Sequence, residues 1–153
     1  MTDPTIRRYE AGDAEAVQAL AERAMIGEGT DSEDIPGIDD LTRIEAAYLD
    51  SGGEFLVAEV DGSIAGMGGL LVEGETGELM RMRVDPIAQR EGLGSQLLDR
   101  LEAAARERGL DRLVAETAVR QAAATEFYPA HGFTEQSRRS FESYELITFE
   151  KRL

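Results

Sequence analysis

A mixed α+β domain built on a mostly antiparallel sheet is the fold class this sequence predicts, and three stretches predict it. Residues 54–84 carry three short strand patterns in succession, separated by turn residues, as an antiparallel meander would. Residues 78–117 then read strand, helix, strand, the unit that normally pairs its two strands in parallel. A helical pattern at 122–128 and strand patterns at 133–139 and 144–152 close the chain. With a first strand near the start, this gives six to seven strands flanked by about four helices. The 153 residues suit a single domain, 1–153, large enough to bury a core.

Thr5-Ile6-Arg7-Arg8-Tyr9 is a short first strand. Asp13 is a good N-cap for the helix after it, in which Ala16, Val17, Leu20, Ala21 and Ala24 recur at helical spacing. Residues 27–37 are rich in Gly, Asp, Glu and Pro and form a loop whose Glu28, Asp31, Glu33 and Asp34 either meet a substrate amine or are simply solvated. Leu41, Ile44, Tyr48 and Leu49 mark a second helix, stopped by Ser51-Gly52-Gly53. Strands at 54–60 and 64–72 flank Asp61-Gly62, a strong hairpin signal. Gly66, Gly68 and Gly69 weaken the second of these unless another group approaches closely there.

The third strand of the meander, 78–84, ends at Asp85-Pro86 and leads into Gln89-Arg90-Glu91-Gly92-Leu93-Gly94-Ser95. A helix follows, with an apolar stripe of Leu97, Leu98, Leu101, Ala104 and Ala105, arginines in its last turn and Gly109 as the residue past its end. The face of the 78–84 strand follows simple alternation, which puts Met80, Met82 and Val84 on one side. After the strand at 113–117, the 122–128 helix must end near Pro129.

Bulk properties exclude several classes. No apolar run approaches a membrane span, and no signal peptide is visible at the N-terminus, so a cytoplasmic location is expected. Cysteine is absent, which removes disulfides, thiolate metal sites and a cysteine nucleophile, and no metal-ligand constellation exists. The net charge of −15 argues against nucleic-acid and anionic-membrane partners. An acidic groove for a cationic substrate and a surface adapted to high salt both explain it; the acids are spread along the whole chain, which favours the halophilic reading. Basic charge is almost all arginine, with Lys151 the only lysine.

Glycines before a helix let backbone N–H groups approach a phosphate, and no Gly-Lys-Ser/Thr follows as a nucleotide-hydrolysing P-loop would need. Gln89-x-x-Gly92-x-Gly94 in this strand-to-helix context, together with Phe127-Tyr128-x-x-x-Gly132-Phe133 later, resembles the signature of the GNAT superfamily of acyl-CoA N-acyltransferases. The resemblance covers residues 54–133 well and the N-terminal part by element order only.

That resemblance implies a GNAT-like sheet in which the fourth strand splays from its parallel neighbour, and acetyl-CoA as co-substrate. It implies a cofactor cradle of Met82, Arg83 and Val84 on the strand and Gln89, Arg90, Glu91, Gly92, Leu93, Gly94 and Ser95 on the loop, with the Met82 N–H aimed at the thioester oxygen. Gln121 stands where relatives often carry a cofactor-binding asparagine. Tyr128 matches the tyrosine that donates a proton to the departing thiolate, a task a phenol suits. Glu78 matches the catalytic glutamate of some relatives; Glu116 or a water are the alternatives and Glu59 a weaker one. His131 is a helix-terminus residue and not a ligand.

The function implied is an acetyltransferase moving acetyl from acetyl-CoA to a primary amine by direct attack in a ternary complex. The alternative is a non-catalytic acyl-CoA-binding regulatory module. The partner expected is a small-molecule or peptide amine; its identity and the oligomeric state, a homodimer included, stay open.

Overall fold

The computed structural model describes residues 4–27, 38–88, 92–119, 121–141 and 144–153. Seven strands form one sheet: β1 Thr5–Arg8, β2 Glu54–Val60, β3 Ser63–Glu73, β4 Thr76–Val84, β5 Arg112–Ala118, β6 Thr134–Phe141 and β7 Tyr144–Arg152. Their order across the sheet is β1-β2-β3-β4-β5-β7-β6. β4 and β5 are parallel, and every other neighbouring pair is antiparallel. The α-helices are α1 Ala14–Gly27, α2 Leu93–Glu107 and α3 Ala122–Ala130. The meander, the parallel crossover and the closing hairpin thus follow the expected order. Among the described residues no helix is long and apolar enough to cross a membrane.

The β2–β3 hairpin turns on Asp61 and Gly62, both at positive φ (52° and 81°), the backbone of a two-residue turn whose twist matches its strands. The second predicted helix takes a different form: a 3-10 turn Ile38–Thr42, then a π-helical turn Glu45–Leu49. The widened turn seats a fully buried Tyr48 with its ring 5.1 Å from that of Phe55 and its hydroxyl on Asp40. Asp13 ends a 3-10 turn ahead of α1 instead of capping the helix directly; its carboxylate accepts the Glu10 N–H and two bonds from Arg7.

Strand alternation splits the core in two. Leu56 and Ala58 face a large cluster with Leu70, Leu79, the α2 leucines and Leu113, Tyr128, Phe133 and Phe149. Phe55 and Val57 face a second cluster with Val17, Leu20, Ile44, Tyr48 and Met67. The sheet therefore carries α2 and α3 on one face, and α1 with the Ile38–Leu49 turns on the other.

Long-range hydrogen bonds and ion pairs fasten the fold. Arg108 donates to the Gly52 and Gly53 carbonyls, and Arg8 grips the buried Glu54. On β7, Lys151 Nζ lies 2.8 Å from Oε1 of Glu102, a buried residue of α2.

Candidate active site

β4 and β5 pair only from Thr76↔Arg112 to Leu79↔Ala115. Past that point β4 continues beside β3, and β5 continues beside β7. The gap between them is a cavity of about 140 Å³, lined on β4 by residues 78–83, on β5 by Glu116, Thr117 and Ala118, and at α3 by the preceding Gln121 and by Ala124 and Tyr128.

A bulge in β4 shapes this opening. Met67 pairs with Arg83 but Gly69 pairs with Met80, so β4 carries one residue more than β3 across the interval. Arg81 takes up the difference at φ 55°, in the left-handed region. The bulge overturns the simple alternation expected of this strand: Met80 packs on the α1-side cluster, whereas Met82 and Val84 pack on the α2 side. Arg81 itself turns to the α1 side, where its Nε lies 3.0 Å from Asp40. Gly68 makes room for the reset strand, because a Cβ there would sit 2.4 Å from Met82 Sδ. Gly66 and Gly69 in the same run make room for other side chains, Leu97 and Leu93 at the first and Tyr48 and Phe55 at the second.

Tyr128 stands on the α2 side of the gap, 5% exposed, among Phe127, Phe133 and Phe149. Among the described residues its hydroxyl has no hydrogen-bond partner. Burial pushes the phenol up to about 12, against the opposing charge of Arg83, so it holds its proton throughout the neutral range. Gln121, 3% exposed, precedes α3 with its side chain turned back toward β5. Its Oε1 accepts from Thr117 Oγ1 (2.8 Å) and from the Ala118 N–H (3.3 Å). A backbone N–H can only donate, so this contact fixes the amide's orientation and leaves Nε2 buried without a partner.

Glu78 lines the same cavity, on the β4 face opposite Leu79. Burial raises its carboxyl above the usual range; the Glu116 and Glu73 charges add to that, and Arg81 opposes it. No described residue hydrogen-bonds to it. Glu116 differs: both its oxygens take hydrogen bonds from Arg139, at 2.9 and 2.7 Å. Glu59 lies out on β2 beside β1, 3.8 Å from Arg7 and away from the gap.

At the end of β4, Asp85 accepts the Ile87 N–H and two bonds from Arg23 of α1. Gln89, Arg90 and Glu91 lie outside the described residues, as does the acidic 28–37 loop. Gly92 precedes α2 at φ 82°, a conformation that favours glycine. Gly94 lets the Phe127 ring come close, since a Cβ would meet it at 3.2 Å. The loop motif and the aromatic motif are therefore in direct contact. Ser95 Oγ lies 2.8 Å from His131 Nε2, and His131 closes α3 as the sequence suggested. Arg83 donates to the Met82 carbonyl. Among the described residues no group of three His, Cys, Asp or Glu side chains could hold a metal ion.

Sequence reasoning missed the Arg81–Asp40–Tyr48 network and the Thr117–Gln121 bond. The first joins residues 41 positions apart, and nothing local signals it. The second, four residues apart, could have been anticipated as a polar side chain folding back at a helix start.

Comparison with known proteins gives this geometry a family. The model of the acetyltransferase (GNAT) family matches residues 15–133. An amino-acid acetyltransferase of Mycobacterium tuberculosis is 31% identical over 86% of this chain and 69% of its own length. An IAA acetyltransferase of Azospirillum brasilense is 40% identical over 54% of the chain, a match spanning 55% of that relative's length. A GNAT-family acetyltransferase from Staphylococcus aureus Mu50 superposes over 99% of both chains with a TM-score of 0.89 at 24% identity. The structure of yncA from Salmonella typhimurium with its cofactor acetyl-CoA matches over 98% of this chain and 94% of its own, with a TM-score of 0.78 at 25% identity. The chain belongs to the GNAT acetyltransferase family.

Proposed function

We propose that this GNAT-family chain transfers an acetyl group from acetyl-CoA to a primary amine by direct attack in a ternary complex. The observation that carries the proposal is the end of β4–β5 pairing at Leu79↔Ala115, which opens a cavity between Tyr128 on one face and Glu78 on the other. A donor and an acceptor can then enter from opposite sides of the sheet and meet in the gap. The orphaned Gln121 Nε2 fits a cofactor: it is a buried donor that a carbonyl oxygen would satisfy.

Bound there, acetyl-CoA supplies the activated thioester. The residues of this chain do the rest. Gln121 and the backbone of Met82 to Val84 hold the acyl end, with the Met82 N–H serving the oxygen on which charge develops. Residues 89–95, with Gly92 and Gly94, hold the phosphates on backbone N–H groups. Glu78 Oε takes a proton from the attacking amine, directly or through water, as the C–N bond forms. Tyr128 Oη gives its proton to the sulfur as the C–S bond breaks. A phenol pushed to about 12 suits that step, because the same dry cavity makes a thiolate more basic. Glu78 suits the base better than Glu116, whose oxygens are engaged by Arg139.

The acceptor class stays broad; the name of the Mycobacterium relative makes amino acids the first amines to try. The spread of acids over a chain of net charge −15 supports a protein working at high salt. Thiol release with acetyl-CoA and a panel of amines tests the reading. Cofactor binding in calorimetry without acetylation of any amine would overturn it in favour of a non-catalytic acyl-CoA-binding module.

A further inference from the structure

The geometry points to His131 as a positioning residue that ties the cofactor cradle to the helix bearing Tyr128; this rests on the acetyl-CoA reading above. His131 Nδ1 lies 2.8 Å from the Phe127 carbonyl and Nε2 lies 2.8 Å from Ser95 Oγ. A carbonyl oxygen only accepts, so in the neutral ring Nδ1 carries the proton and Nε2 is the acceptor. The Ser95 hydroxyl therefore donates to His131. It has one proton, and that proton is spent on the ring. Ser95 turns lone pairs outward, the wrong polarity for a phosphate oxygen, so the side chain of this predicted cofactor residue orients the first turn of α2 while its backbone N–H faces the ligand.

The other end of the linkage reaches the catalytic helix. The rings of His131 and Phe127 stack with centroids 4.3 Å apart, and Phe127 closes over Gly94. The His131 and Phe133 N–H groups both donate to the Tyr128 carbonyl. Ser95, His131 and Phe127 thus fix the distance between the start of α2 and the end of α3, the two elements that hold the phosphate end and the sulfur end of one long ligand.

The test is CoA binding by calorimetry to the whole chain and to His131→Phe, His131→Gln, Ser95→Ala and the double variant Ser95→Ala/His131→Phe. Phenylalanine keeps the ring stack and loses both hydrogen bonds. His131→Phe and Ser95→Ala should each weaken CoA about fivefold, and the double variant no more than either, because the two residues act as a unit. His131→Gln, whose amide oxygen can still accept the Ser95 proton, should bind within about twofold of the unsubstituted chain. CoA affinity unchanged in His131→Phe, or losses that multiply in the double variant, would overturn the assignment. If His131→Phe does not fold in a thermal melt, the cycle of Ser95→Ala with His131→Leu, which also loses both hydrogen bonds, decides it: losses that multiply there overturn the linkage. Failure of the unsubstituted chain to bind CoA would instead overturn the cofactor reading itself.

Discussion

The two faces of the sheet are built by different means. On the α2–α3 face, two short motifs supply the groups of the candidate site: Gly92 and Gly94 open α2, and Gln121, Tyr128 and His131 sit on or beside the nine-residue α3. On the α1 face the contacts are distant. Arg81 reaches Asp40 across 41 positions, and Arg23 reaches Asp85 across 62. A local motif survives as a unit, whereas a site made of distant pairs is set by the whole fold. On the proposed reading, the cofactor face is fixed by short motifs and the acceptor face can be remodelled pair by pair.

The comparison breaks first at Asp40. Asp40→Ala removes the carboxylate that accepts from both the 9%-exposed Arg81 and the buried Tyr48 hydroxyl. That should cost about 3 kcal/mol, seen as a lower midpoint in denaturant, with CoA affinity held far better than acceptor KM. Next comes Tyr128→Phe, expected to lower kcat about a hundredfold with little change in CoA binding, measured by steady-state kinetics beside calorimetry. Equal turnover would remove Tyr128 as the acid.

Gly68→Ala probes the bulge that sends Arg81 and Met82 to different faces. Its Cβ would displace Met82, and about 1–3 kcal/mol of stability should be lost together with a higher acetyl-CoA KM. Glu78→Gln should lower kcat/KM about tenfold and remove the acid limb of its pH profile, a limb lying above the ordinary carboxylate range because the folded carboxyl is raised. The sign for stability is opposite. A carboxyl raised by folding holds its proton more tightly in the native state, so it contributes stability at low pH that is lost as pH rises through the shifted value. Glu78→Gln should therefore raise the neutral-pH melting temperature slightly while activity falls, which a structural role alone would not produce. The smallest effect expected is a rise in melting temperature when salt is added at neutral pH.

The sequence made the α2–α3 face legible because periodicity, glycine spacing and the aromatic motif are all short-range signals. The meander and the parallel β4–β5 pair followed from such signals. The alternation of β4 was misread because nothing in Met80-Arg81-Met82 announces that an arginine will adopt positive φ; the bulge exists because Gly68 across the sheet leaves space and Asp40 draws the side chain over. The second helix was misread for a related reason. Its apolar spacing was right, but burying Tyr48 with its hydroxyl on Asp40 outweighs regular α-helical bonding over so short a run.

The pairing of Lys151 with Glu102 has a chemical side. A protein that works beside an activated thioester is itself bathed in an acylating agent, and the usual casualties are lysine side chains with an available lone pair. This chain owns one lysine, and its nitrogen lies 2.8 Å from Oε1 of the buried Glu102. Its other side-chain cations are guanidinium groups, whose delocalised nitrogens are poor nucleophiles. On the acetyl-CoA reading proposed above, that ion pair leaves the lysine a poor target for the reagent.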